Sequence, residues 1–174
     1  ENSTLSVNPA DDGGGVYNNT SGRMTISNST LSGNSAVGDY RTGGGIVNNG
    51  QLPLSASSLS GNSTTYQGGG IANMDGTLIL RNSTLSGNSA TSQGGGIFNY
   101  SGTLTVLNST LSGNSATAGG GIYNYGTGTL ANTIIANSPS GGDCRTSYGA
   151  VSADHSLVEA SGANACGLTN GVAG

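Results

Sequence analysis

Apolar side chains fall at every second place along short runs of this chain, and the runs come in sets of three. In one set they are Gly96-Ile97-Phe98-Asn99, then Gly102-Thr103-Leu104-Thr105-Val106-Leu107, then Ser109-Thr110-Leu111-Ser112, with Gly, Asn and Ser between them. A period of two puts alternate side chains on opposite faces of an extended strand, and the small polar residues supply turns. The set recurs. NSTLSGNSA stands at 28–36, 82–90 and 108–116, with weaker copies from Asn2 and Ser57. Gly triplets opening at Gly13, Gly43, Gly68, Gly94 and Gly119 follow at intervals of 30, 25, 26 and 25 residues. Three strands per interval leave no room for a helix. The pattern predicts an all-β solenoid, a parallel β-helix of about six to seven coils with three short strands each, stacked ~4.8 Å apart.

Stacking converts columns of the repeat into ladders. The first strand is expected to point Val16, Ile46, Ile71, Ile97 and Ile122 inward, and the second Met24, Ile26, Leu52, Leu54, Leu78, Leu80, Leu104, Val106 and Leu130. From the third come Leu5, Leu31, Leu59, Leu85, Leu111, Ile134 and Leu157. Two asparagine columns, Asn8, Asn34, Asn62, Asn88, Asn114 and Asn137, and Asn18, Asn48, Asn73, Asn99 and Asn124, are expected to form amide ladders at tight bends, where Asn tolerates left-handed backbone. Residues 1–12 read as a partial first coil, 13–140 as regular coils and 141–174 as a terminal coil of one domain; residues 37–42 are an insertion expected to bulge as a surface loop. Cys144 replaces an Ile of the first strand and Cys166 follows one short coil later, which sets their Cα atoms ~5 Å apart, within disulfide range. The expected disulfide staples the decaying end and implies an oxidising compartment, the other readings being paired free thiols or a metal site.

Composition narrows the function. Of 174 residues only 7% are charged, there is no lysine, and Arg23, Arg41, Arg81 and Arg145 face eight acids for a net charge of -4. So few cations argue against nucleic acid and against an anionic membrane surface. Glycine at 33 residues would read as low-complexity disorder without the period. No apolar run approaches the ~18 residues of a membrane span, and no signal segment opens the chain. Because Glu1 starts inside a repeat, a mature or excised piece is expected.

GGGI-x-N followed by GTL-x-L-x-NSTLSGNSA resembles the bacterial cell-surface β-helix repeats of the pectate-lyase-like superfamily. It is similar above all to the choice-of-anchor Q domain proteins and, more distantly, to the polymorphic outer-membrane proteins with their GG-A-I motifs. Asn132-Thr133-Ile134-Ile135-Ala136-Asn137, Gly141-Gly142-Asp143-Cys144 and His155-Ser156-Leu157-Val158-Glu159 before Cys166-Gly167 are similar to the end of that repeat region. The resemblance implies a right-handed helix and a secreted or surface-displayed bacterial protein, with roles from adhesion to matrix building. Such proteins often add a helix cap before the repeats and a Pro-rich anchor after them, and this sequence contains neither.

Candidate chemistry is sparse, and no catalytic residue, cofactor or metal is expected. Polysaccharide lyases and hydrolases need clustered carboxylates and a proton-handling partner. Glu1, Asp11, Asp12, Asp39, Asp75, Asp143, Asp154 and Glu159 share no column in neighbouring middle coils; Asp11, Asp12 and Asp39 could gather at a cation but read first as solvated turns. His155, the one histidine, reads as a cap residue. Two outward columns remain as binding surfaces. Thr4/Ser6, Thr30/Ser32, Ser58/Ser60, Thr84/Ser86 and Thr110/Ser112 form a hydroxyl face of the kind by which β-solenoid ice-binding proteins order water, with Ser58 breaking the Thr rank and Ile135 ending it. Phe98, Tyr100, Tyr123 and Tyr125 form an aromatic contact surface suited to sugar rings or protein, Phe98 and Tyr123 stacking outward. Finally, Asn2, Ser3, Thr4, Leu5 and Ser6 present a bare edge that invites another molecule head to tail. The leading expectation is a non-enzymatic structural protein of the bacterial surface that self-associates into a filament, its sides contacting glycan or neighbouring cells. The alternative is a monomeric binding fragment of a larger adhesin, for glycan or ice.

Overall fold

A computed structural model describes residues 1–40, 42–160, 164–168 and 172–173. The chain winds into a parallel β-solenoid. The first sheet stacks Val16–Asn18, Ile46–Asn48, Ile71–Asn73, Ile97–Asn99, Ile122–Asn124 and Cys144–Thr146. The second stacks Ile26–Ser27, Gln51–Ser55, Thr77–Arg81, Thr103–Leu107, Thr127–Ala131 and Ala150–Asp154. The third runs Thr4–Ser6, Thr30–Ser32, Ser58–Ser60, Thr84–Ser86, Thr110–Ser112, Ile134–Ala136 and Ser156–Val158, and Val172–Ala173 closes it antiparallel. Every other pairing joins equivalent residues one repeat apart, such as Leu78 with Leu104 and Leu85 with Leu111.

The expected aliphatic columns fill the interior. Ile46, Leu52, Leu54, Leu59, Ile71, Leu78, Leu80 and Leu85 have no exposed surface, and each such burial contributes about 1.5–3 kcal/mol of hydrophobic free energy. The core thins where Gly128 stands between Leu104 and Val151. At the start, Leu5, Val16 and Met24 are only partly covered.

A small fourth sheet, not legible from alternation, stacks Pro9–Ala10, Ser35–Ala36, Ser63–Thr64 and Ser89–Ala90. It explains the glycine triplets. The backbone at Gly95 passes so close to this column that a Cβ built there would collide with the Ser115 carbonyl and lie 2.6 Å from that of Gly120. Ahead of it Gly94 has φ of 66°, a left-handed turn that glycine adopts without a Cβ penalty.

Both asparagine ladders exist. Asn48 Nδ2 donates to Asn73 Oδ1, Asn73 to Asn99 and Asn99 to Asn124, each at 2.7 Å. In the other ladder Asn62 Nδ2 donates to Asn88 Oδ1 at 2.9 Å, and the same oxygen accepts the Asn62 backbone N–H at 3.0 Å. These amides serve the bends without being left-handed themselves. Left-handed backbone belongs to a third asparagine column, Asn2, Asn28, Asn82, Asn108 and Asn132, with φ between 49° and 54°. Ala56 and His155 occupy the same corner at 48° and 44°, and for Ala56 that geometry costs about 1–2 kcal/mol, since alanine has no side-chain hydrogen bond to offset it. The residue after each corner builds a further ladder: the Ser57 N–H donates to Ser83 Oγ at 3.1 Å while that hydroxyl donates to the Arg81 carbonyl at 2.7 Å.

Several expectations shift in the terminal coils. Ile134 and Leu157 point outward, 46% and 44% exposed, while Ile135 and Val158 take the core column opposite Leu111. Two adjacent apolar residues leave period two undecided, and the left-handed corners at Asn132 and His155 set the register one residue later. Ile134, not Ile135, therefore ends the Thr rank. Asn137 accordingly leaves its ladder, since Ala136 pairs with Ser112. It takes a left-handed turn at φ of 58°, as Gly113 does at 66°. The insertion forms a surface loop, with Val37 51% and Tyr40 78% exposed, while Arg41 lies outside the described residues. Cys144 and Cys166 are bonded, their Cα atoms 4.8 Å apart, and the Cys166 N–H donates to the Cys144 carbonyl at 2.8 Å. Beside them Asp143 is buried, its carboxylate accepting the Ser138 and Ala160 N–H groups at 3.0 and 2.8 Å.

Candidate contact surfaces

The aromatic cluster is built by the amide ladder beneath it. Asn99 Nδ2 donates to the Gly102 carbonyl at 3.1 Å and Asn124 Nδ2 to that of Gly126 at 2.8 Å, so each first strand ends in a clamped turn. Tyr100 and Tyr125 sit on those turns, one coil apart. Their rings meet edge to face, centroids 5.9 Å apart. Tyr148, on the next turn, stacks on Tyr125 at 5.8 Å with planes 14° apart. An open hollow of ≈ 520 Å³ lies among Tyr100, Ser101, Tyr125, Gly126 and Tyr148.

Phe98 and Tyr123 are corrected from contact residues to support. They do leave the outer face of the first sheet, but they are 1% and 4% exposed. Tyr100 lies against Phe98 at 6.1 Å, Tyr125 against Tyr123 at 5.0 Å, and stacked rings that shed water cannot also meet a ligand. The accessible rings are Tyr100, 49% exposed, and Tyr148, 90% exposed. Alternation could not find Tyr148, because it lies in a turn of the decayed repeat, but its place one before Gly149, matching Tyr125 before Gly126, is a signal the sequence carries. The phenols form a network: Tyr123 OH donates to Tyr125 OH at 3.4 Å and shares a 2.6 Å bond with Ser147 Oγ. The neighbouring Tyr123 hydroxyl, helped by burial, raises the Tyr125 phenol above its usual 10.0, so it is neutral at physiological pH.

The hydroxyl columns of the third sheet stack in register. Thr4, Thr30, Ser58, Thr84 and Thr110 stack in one outward rank, and Ser6, Ser32, Ser60, Ser86 and Ser112 in another. At its edge Ala56 interrupts the corner asparagines, and a shallow hollow of ≈ 540 Å³ opens between Asn28 and Asn82.

The acids stay dispersed. Among the described residues no group of three or more His, Cys, Asp or Glu side chains converges as a metal site. Asp12 Oδ1 accepts the Thr42 N–H at 2.8 Å, a brace across the insertion. His155 Nδ1 meets Asp154 Oδ1 at 2.7 Å, with both side chains about 70% exposed; its role is the left-handed corner. The expected end-to-end residues include Thr4–Ser6, the first strand of the third sheet. Among the described residues no helix is long and apolar enough to cross a membrane.

No curated protein and no solved structure matches this chain. Residues 82–100, the copy of the repeat running from Asn82 through the Gly triplet to Tyr100, match the model of the Chlamydia polymorphic membrane protein repeat.

Proposed function

We propose that this chain is a rod segment of a surface-displayed, adhesin-like repeat protein, non-enzymatic, which lengthens by stacking on a second copy of itself. The match to a polymorphic membrane protein repeat over residues 82–100 supports the surface setting. The likeness of the flanking motifs to choice-of-anchor Q proteins is consistent with it.

One observation carries the assembly reading. Thr4–Ser6, Pro9–Ala10, Val16–Asn18 and Ile26–Ser27 are the end strands of all four sheets, so their outer backbone groups face away from the rod. Between them lies a hollow of ≈ 220 Å³ floored by Leu5, Val16, Met24 and Ile26. Such an edge takes another parallel coil in register, and the terminal strand Ala150–Asp154 of a second copy offers a complementary side, whereas Ala165 already pairs with Cys144 at the end of the first sheet. Joining one face to a different face is open-ended, so it produces filaments. The antiparallel Val172–Ala173 covers part of the far end and limits how far the third sheet can take part.

Electron microscopy of the purified chain tests this. Filaments with an axial repeat of ~30 Å, about six spacings of ~4.8 Å, are expected. Discrete rods of that length at all concentrations contradict self-assembly and leave the open edge to a different coil.

A further inference from the structure

We propose that the hollow framed by Tyr100, Tyr125 and Tyr148 is a binding site for a neutral glycan lying along the rod axis. The inference goes beyond assembly and holds whether or not copies stack. Tyr148 is 90% exposed yet held by a near-parallel stack on Tyr125 at 5.8 Å. Its ring is thus held in one orientation, and Tyr125 is in turn fixed by Tyr123 and Phe98 at 5.0 and 6.1 Å. A ring oriented in advance loses little freedom when a ligand lands on it.

The chemistry of the lining selects the ligand. It consists of Tyr100, Tyr125 and Tyr148 with Ser101 and Gly126, and no charged residue. Aromatic ring surface together with phenol and serine hydroxyls matches a pyranose, whose faces carry C–H bonds and whose edges carry hydroxyls. An acidic polysaccharide would find no cation in the lining. A protein interface core adds Met and Arg to its aromatic rings, and neither lines this hollow. The hollow is open, and the three tyrosines occupy turns of successive coils. Their rank spans ~10 Å at ~4.8 Å per coil, which suits a short oligosaccharide strand.

Saturation-transfer NMR with cellohexaose, chitohexaose and maltohexaose as probes tests the site. Transfer to at least one of them is expected, unchanged by added salt because no ion pair is involved. Tyr148→Ala, at a side chain that contributes little to the fold, should weaken that binding about tenfold, the worth of one aromatic stacking contact, with an unaltered circular dichroism spectrum. No transfer to any of the three overturns the proposal and leaves the hollow to a protein partner. Transfer that persists undiminished in Tyr148→Ala overturns the assignment of the site.

Discussion

Gly95→Ala lowers the stability of the rod by about 3 kcal/mol, the upper range for overpacking a site that cannot relax. The added methyl meets backbone rather than a movable side chain: the Ser115 carbonyl, and the Gly120 carbonyl at 2.6 Å. Neither can retreat, because the Ser115 carbonyl accepts the Ala90 N–H at 2.9 Å and the Gly120 carbonyl the Gly96 N–H at 2.8 Å. A shift there would spread along the stack. Gly87→Ala is the control. Nothing lies within 4 Å of its Cβ position, and its only difficulty is a φ of 61°, worth about 1 kcal/mol. Equilibrium unfolding in urea of both variants checks the contrast; equal losses would mean that conformation, not contact, selects the glycine triplets.

The second large effect is Asn73→Ala, expected to cost about 3–4 kcal/mol. Asn73 has no exposed surface. Its Oδ1 accepts from Asn48 at 2.7 Å, and its Nδ2 donates to Asn99 Oδ1 at 2.7 Å, to the Gly76 carbonyl at 3.1 Å and to the Thr103 carbonyl at 3.3 Å. Truncation leaves the Asn99 oxygen without its donor, a penalty of about 1–3 kcal/mol where water does not reach. It also removes the bonds to the Gly76 and Thr103 carbonyls, about 1 kcal/mol each, although Gly76 keeps the Thr103 N–H at 3.0 Å. The Asn48 amide is less affected, since it still reaches the Gly50 carbonyl at 3.2 Å. Asn73→Asp keeps the shape but supplies no donor and buries a charge, so it is expected to be at least as damaging. Neighbouring Asn49, which donates to the exposed Tyr17 hydroxyl at 3.1 Å, should tolerate alanine within about 0.5 kcal/mol. A thermal melt in which Asn73→Ala and Asn49→Ala shift alike would remove the ladder from the account.

The middle coils were legible because the repeat is explicit there. Ile71 above Ile46 and Leu85 above Leu59 follow from counting alone, and the amide ladders follow from the same columns. The ends were harder for a physical reason. Ile134-Ile135 and Leu157-Val158 satisfy period two in either phase, and only the left-handed corner before them, at Asn132 or His155, breaks the tie. That corner is visible as the Asn of NST, but spacing alone does not show that this column, rather than the two amide ladders, carries the left-handed backbone. The aromatic surface was half legible. Alternation places Phe98 and Tyr123 on the outer face correctly, yet a side chain outside the sheet is not thereby in solvent, because Tyr100 and Tyr125 fold over it from turns whose path alternation does not describe. Tyr148 escaped for the same reason.

Interchangeable coils are the central claim, and deleting residues 82–107 tests it directly. This removes one full repeat and joins Arg81 to Asn108, which already occupies the position of Asn82 one coil on. The shortened chain is expected to keep its β-type circular dichroism, melt cooperatively and lose ~4.8 Å of axial length by small-angle scattering. Deleting residues 82–94, half a repeat, should abolish the cooperative melt, since every ladder loses its register there. Both deletions folding equally well, or the full-repeat deletion failing to fold, would contradict the stacked-coil architecture.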